Sequence, residues 1–254
     1  MQYAALARNY DLWMRQDQPI SLWVDSILAE FSARGIRPGA KVLDLACGTG
    51  GITIPLAQAG YDLVAMDLSE EMLSVARDKA AALGLPGIRW VCRDMAQGDF
   101  PGRYDAIICC CDGVNYLTCE EQLSSMLTAC AKSLVPGGLL LFDVSAPAKL
   151  LPMAGQLYAL DTDEGAYIWY NELEASDVIR MDITLFLPDG TGRFERHEEM
   201  HRQRAWKAAE IKTALKDAGL EKTEIREAFT AQKPQKGSLR WQVLAQSAAK
   251  KKQK

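Results

Sequence analysis

The chain holds just two histidines, and they stand four residues apart in HEEMH (197 to 201). That is the H-E-x-x-H spacing with which a helix binds zinc and presents a glutamate as general base. The chemistry requires a helix. In a strand, Glu195, His197, Glu199 and His201 share one face, and at about 3.3 Å per residue the two imidazoles lie ~13 Å apart. Zinc needs both ring nitrogens about 2.1 Å from one ion, so a strand cannot chelate with this pair. Gly192 just upstream, and flanks RFER and RQRA that lack an apolar stripe, favour the strand. A third ligand would have to be a carboxylate such as Glu221, which no pattern supports. No metal site is expected.

A second constellation is richer. VLDLACGTGG (42 to 51) lies after one apolar run and before a helical pattern, where glycines let backbone and ligand approach closely. A dinucleotide fingerprint starting at Gly48 and Gly50 needs a third glycine at position 53, which is Thr53, so a nicotinamide oxidoreductase ranks low. Asp44, just ahead of the loop, is placed to pair with a cationic amino group. Asp67, closing VAMD, can accept hydrogen bonds from both hydroxyls of a ribose, or it can cap the helix at Ser69. Asp94 beside Met95 in CRDM suits the edge and face of an adenine ring, or a simple turn. Such features in order at successive strand ends point to one ligand site, because ligands of open parallel sheets bind at the carboxyl ends. Cys109, Cys110 and Cys111 end a further strand; neighbours there face opposite ways and cannot share a metal. Cys109 and Cys110 read as core residues, and Cys111 as lining the pocket.

The elements that must position these residues follow from hydrophobic period. Runs at 41 to 45, 62 to 66, 88 to 92, 105 to 111 and 138 to 144 suit buried parallel strands, and 52 to 59, 69 to 83 and 120 to 134 suit helices between them. The alternation predicts an α/β fold, a Rossmann-like, mostly parallel sheet with helices on both faces. Two helices upstream, 3 to 14 and 19 to 34, are expected to pack over one edge as a cap covering residues 1–38. Beyond Pro147 the period falls to two: Ile179, Met181, Ile183, Leu185 and Leu187 alternate with Val178, Arg180, Asp182, Thr184 and Phe186. With YIWYNEL (167 to 173) and the turn PDGTG (188 to 192), this predicts an antiparallel insertion spanning 148–205. A helix at 207 to 218 and strands at 221 to 229 and 239 to 246 complete the main domain, 39–147 with 206–247.

Composition narrows the class. A chain of 254 residues with 48% hydrophobic and 24% charged content suits one large core or two modest ones. A net charge of -4 gives no general attraction to nucleic acid or anionic lipid, and the lysines within residues 248–254 read as a basic, disordered tail. No apolar run approaches the ~18 residues of a membrane span. The seven cysteines lack disulfide spacing, and no export signal is visible, so a cytoplasmic protein is expected.

On LDLACGTG (43 to 50), Asp67 in MDLSEEML, RDM (93 to 95), DAIICCCDGVNYL and LVPGGLLLFDV, the sequence resembles the class I S-adenosylmethionine-dependent methyltransferases. The resemblance covers roughly Lys41 to Val144. It implies a seven-stranded sheet whose last strand runs antiparallel, S-adenosyl-L-methionine as donor and S-adenosyl-L-homocysteine as product. It implies that Asp44, Gly48 and Gly50 hold the methionine part, Asp67 the ribose, and Asp94 with Met95 the adenine; Ala46, Leu68, Met72 and Cys111 complete the expected donor contacts. The insertion resembles the lid of methyltransferases that act on small amines, sugars and acids, and EEMHRQRAW resembles a pattern of uncharacterised bacterial members. For that reason His201, and not His197, keeps a functional role.

Methyl transfer needs in-line alignment and exclusion of water, and a base only where the acceptor arrives protonated. Asp112 is the best-placed base and His201 a weaker one; Asn115, Tyr116, Tyr10 and Tyr170 are candidates to orient the acceptor. The expected partner is a small molecule with an oxygen or nitrogen acceptor, and not a membrane or nucleic acid. Alternatives are a non-catalytic module that binds the donor or its product, and an RNA methyltransferase using Arg193, Arg196, Arg202 and Arg204. A homodimer is left open.

Overall fold

KVLDL and DLVAMD carry apolar residues on both strand faces, as a strand covered on both sides must. They form β1 (Lys41–Leu45) and β2 (Asp62–Asp67) of a computed structural model that describes residues 6–14 and 19–249. The sheet continues with β3 (Arg89–Cys92), β4 (Tyr104–Cys109) and β5 (Leu134–Ser145). An insertion then contributes β6 (Leu157–Thr162), β7 (Gly165–Ala175), β8 (Val178–Pro188) and β9 (Phe194–Arg204). The chain returns to the main sheet with β10 (Leu220–Glu227) and β11 (Arg240–Ser247).

The main sheet is seven-stranded in the order β10-β11-β5-β4-β1-β2-β3, and β11 runs antiparallel to both its neighbours. The four inserted strands form a separate antiparallel sheet, β6-β7-β8-β9. Its first strand escapes the sequence pattern, because Leu157, Tyr158 and Ala159 are all exposed and carry no alternation to detect.

The helices are α1 (Ala7–Met14), α2 (Ser21–Ala33), α3 (Thr53–Gln58), α4 (Glu70–Ala82), α5 (Glu120–Ser133), the single turn α6 (Pro147–Leu150) and α7 (Ala208–Asp217). Successive strand residues divide between two cores. Val42, Leu63, Ala106, Ile108, Leu141 and Leu244 meet Trp23, Ile27 and Phe31 of α2 and the apolar sides of α3 and α4. Leu43, Leu45, Val64, Ile107, Phe142 and Val243 meet α5 and α7. Each fully buried Leu, Ile or Val there contributes about 1.5–3 kcal/mol.

The two leading helices therefore do not form one cap over a sheet edge. α2 lies on a sheet face because its buried side chains fit that core. Leu6, just ahead of α1, and Trp13 within it instead pack against Ile183 and Leu185 of the inserted sheet, with the Trp13 and Tyr167 rings 5.5 Å apart. The basic tail beyond Ala249 lies outside the described residues.

Candidate active site

The strand order reverses between β1 and β4, so a crevice opens beyond their carboxyl ends. The loop after β1 enters that crevice in left-handed conformations, at Ala46 (φ 54), Gly48 (φ 54) and Gly50 (φ 77). A side chain at Gly50 would sit 3.1 Å from the Trp90 ring and 3.3 Å from Ala76 Cβ, so the position requires glycine on both counts. The Gly48 amide donates to Asp67 Oδ2 at 2.8 Å, and the Ser69 amide to Asp67 Oδ1 at 2.9 Å. Asp67 does not cap α4 itself; the Ser69 hydroxyl does, accepting from the Met72 amide at 3.1 Å.

Asp44 is buried and accepts the Thr53 hydroxyl at 2.5 Å. Burial outweighs that bond and raises its carboxyl to about 7. Burial also raises Asp67, against the amides that stabilise its anion. Met72 is buried in the first turn of α4, while Leu68 is exposed. Asp94 uses Oδ1 to accept the Ala96 amide at 2.8 Å, fixing the turn that carries the buried Met95.

β4 stops at Cys109, two residues earlier than expected, because Cys111 (φ 56) and Asp112 (φ 64) both turn left-handed. Cys109 and Cys110 are buried in opposite cores, as strand alternation requires. Asp112 then meets Arg240, whose Nη1 also lies 3.1 Å from Asp143 Oδ2. The Asp112 amide donates to Asp143 Oδ1 at 2.9 Å, and the Trp23 indole N–H donates to Asp143 Oδ2. A carboxylate held by a guanidinium is a poor base, so the expectation that Asp112 is the base gives way to an anchoring role for this turn.

Asn115 is corrected as well. Its Nδ2 donates to the carbonyls of Ser145 (3.0 Å) and Arg204 (2.8 Å), and its Oδ1 accepts the Ser145 amide at 2.9 Å. Both donor hydrogens are committed within the protein, leaving none for an acceptor molecule. Tyr170 is corrected by register: it pairs with Leu157 and Asp182 on the outer face of the inserted sheet and is exposed.

The inner face of that sheet carries Trp169 and Asn171 on β7, Met181 and Ile183 on β8, and Glu199 and His201 on β9. His201 meets the Tyr116 hydroxyl through Nδ1 at 3.3 Å and Glu199 Oε2 through Nε2 at 2.9 Å. Tyr10 is half-buried, and its phenol is pushed above its ordinary value by burial, with Cys111, Tyr116, Asp11 and Asp67 adding to the shift. Asp11 in turn accepts from Thr49 of the glycine loop and pairs with Lys79. Among the described residues no cluster of three or more metal-ligating side chains occurs.

A family model for a methyltransferase domain matches residues 42–138. YqeM of Bacillus subtilis (strain 168), provisionally named a methyltransferase, is 33% identical over 252 residues, which covers 98% of each chain. A crystal structure of an S-adenosylmethionine-dependent methyltransferase from Clostridium acetobutylicum superposes with a TM-score of 0.86 at 31% identity, over 97% of this chain and 99% of that one.

The chain belongs to the class I S-adenosylmethionine-dependent methyltransferases. The methyltransferase also shares its fold with S-adenosylmethionine-bound CalS10, an amino pentose methyltransferase from Micromonospora echinaspora, at a TM-score of 0.71 and 21% identity over 94% and 96% of the two chains. Its cofactor is S-adenosylmethionine, and the crevice fits that group. The loop is a cradle that a side chain at Gly50 would fill, and Asp67 keeps lone pairs beyond the two amides it accepts. Asp44 offers a buried carboxyl where a cation would compensate its burial.

Sequence reading did not single out Glu199, Arg240, Asp143 and Trp23, which bond to or beside the candidate residues His201 and Asp112. For Glu199 a signal existed, since a strand through HEEMH puts it on the face of His201. For Arg240 none did; it opens the last strand opposite Ser145, a pairing that long-range topology alone creates.

Proposed function

We propose that this methyltransferase transfers a methyl group to nitrogen or oxygen of a small polar molecule received between the crevice and the inner face of the inserted sheet. One observation carries this reading. Among the described residues, Trp169 Nε1 and Asn171 Oδ1 are buried on that inner face with no hydrogen-bond partner, although an unpaired buried polar atom costs about 1–3 kcal/mol. A small polar guest supplies the missing partners.

Bound S-adenosylmethionine supplies an electrophilic methyl group on a cationic sulfur. Asp44 pairs with its amino group, Ala46, Gly48 and Gly50 give the backbone room to approach, and Asp67 accepts from the ribose. Asp94, Met95, Met72 and Leu68 frame the adenine, and Cys111 lines the pocket. Tyr10 and Tyr116 orient the acceptor, while α1 and the inserted sheet exclude water.

A nucleic-acid acceptor is disfavoured by the charges on the inserted sheet. Of the four candidate arginines, Arg196 pairs with Glu198, Arg202 with Glu174, and Arg204 with Asp177 and Glu210, so three already face carboxylates that would compete with a phosphate backbone. Among the described residues no helix is long and apolar enough to cross a membrane; work in the cytoplasm belongs to the same proposal.

The test is calorimetric titration with S-adenosylmethionine, S-adenosylhomocysteine and NADH, followed by transfer of radiolabelled methyl to a panel of small amines, hydroxyl compounds and carboxylic acids, with bulk RNA in a parallel arm. Binding of the first two ligands and labelling of a small molecule supports the reading. Donor binding with label in RNA alone overturns it, and donor binding with no transfer to any acceptor favours a binding module.

A further inference from the structure

β9 turns two ionisable residues inward, Glu199 and His201, which are 6% and 1% exposed. Their cross-strand neighbours on β8 are the apolar Ile183 and Met181, and the next buried residue on their own strand is the uncharged Gln203. Removing an ion from water costs several kcal/mol, which a purely structural position would avoid by using another apolar side chain.

The bonding has a direction. Glu199 Oε1 accepts the Leu6 amide at 3.1 Å, and Oε2 lies 2.9 Å from His201 Nε2. A carboxylate is an acceptor, so Nε2 carries the hydrogen, and in that tautomer the ring's lone pair falls on Nδ1. The Tyr116 hydroxyl, 3.3 Å from Nδ1, is then the donor of that bond. Its own oxygen lone pairs are then directed away from His201, and Tyr116 ends the short turn Gly113–Tyr116 that follows the carboxyl end of β4, where the crevice opens. The chain of bonds runs from a buried carboxylate to a phenol oxygen at the donor crevice.

We infer that Glu199, His201 and Tyr116 form a relay that takes the acceptor's proton during methyl transfer. This rests on the reading that the protein methylates a small molecule beneath the inserted sheet. Tyr116 touches the acceptor, His201 receives the proton, and Glu199 is a positioning residue that holds the ring in the Nε2–H tautomer. The acceptor's lone pair forms the new bond to the methyl carbon as the carbon–sulfur bond breaks, and the electron pair of that bond stays on sulfur. The acceptor's proton passes to Tyr116 Oη while the Tyr116 proton passes to His201 Nδ1. The imidazolium so formed is offset by the Glu199 carboxylate. For a hydroxyl acceptor the proton leaves as the bond forms; for an ammonium it leaves first and frees the lone pair.

The relay therefore names a substrate class: acceptors that arrive with a proton on the reacting atom. Carboxylates arrive without one and gain nothing from it. Asp112, bound to Arg240, does not compete for this role.

Nuclear magnetic resonance of full-length protein labelled with nitrogen-15 in histidine tests the relay directly, since the chain has only two histidines and His197→Gln leaves His201 alone. At a pH where the ring is neutral, His201 is expected as the Nε2–H tautomer with Nδ1 accepting a hydrogen bond. Tyr116→Phe should move the Nδ1 resonance and leave Nε2 in place, and Glu199→Ala should produce a mixture of tautomers. An Nδ1–H tautomer in the native protein, or an Nδ1 resonance unmoved by Tyr116→Phe, overturns the relay whichever acceptor the enzyme uses. Calorimetry with S-adenosylhomocysteine on the same variants separates the two ideas. Unchanged donor affinity with the wrong tautomer sinks the relay alone, whereas no donor binding by the native protein sinks the reading beneath it. With an amine or hydroxyl compound that is methylated, His201→Gln should lower kcat by about 10²–10⁴-fold with little change in donor affinity; an unchanged kcat would falsify the relay.

Discussion

The amide of Gly48 donates to Asp67 at 2.8 Å, so the acid that ends the second strand also holds the loop that follows the first. Sequence reading assigns these residues to different parts of the donor. The structure joins them, and a change at Asp67 is expected to be felt along the whole donor.

Asp67→Ala is accordingly predicted to weaken S-adenosylhomocysteine binding by at least the 1.5–3 kcal/mol of one charge-assisted hydrogen-bonding group, roughly ten- to a hundredfold. Calorimetry checks this, and an unchanged Kd would remove Asp67 from the ribose.

Asp44 predicts a pH dependence. Its folded pKa, about 7, stands above the ordinary 3.8. The group therefore favours the ligand-free fold fully below about 3.8, and that contribution is lost as pH rises through about 7. A cationic amino group of the donor needs the ionised form. Donor affinity should rise by up to about tenfold per pH unit toward 7 and then level off, with a proton released on binding at the acidic end. Titrations in buffers of different ionisation enthalpy measure that proton, and Asp44→Asn should abolish its release.

Arg240→Met leaves the buried Asp143 and the half-buried Asp112 without the cation they share. Breaking a buried pair in this way costs about 3–5 kcal/mol, and a chain of this size should melt roughly 10 °C lower. A melting scan decides, and an unshifted Tm would mean that the pair adds nothing to the fold.

Asn115 and Tyr170 should behave oppositely to their first assignment. Asn115→Ala strands three buried backbone groups and should cost about 3 kcal/mol or more of stability. Tyr170→Ser, on the exposed outer face, should stay within about 0.5 kcal/mol and leave methyl transfer unaltered.

The placing of the expected donor residues at successive strand ends is legible in sequence because it is local. Asp44, Gly48 and Gly50 lie on one strand and its loop, and Asp67 and Asp94 each end the next strand in order. The acceptor half is not. Asn115 and Tyr170 are polar residues on suitable elements, but only tertiary contacts reveal that one is consumed by Ser145 and Arg204 and the other faces outward. HEEMH falls between these cases. Period two correctly makes it a strand and aligns Glu199 with His201, yet the Tyr116 hydroxyl that completes the set comes from 85 residues away.

Asn115 bonds at once to Ser145, where the chain leaves the main sheet, and to Arg204, where it returns. Both seams of the insertion are thus sewn by a single side chain that belongs to the donor-binding half. The two ends of the inserted sheet are thereby held in fixed register with each other and with the turn after β4, so a displacement of that turn is passed to both ends at once.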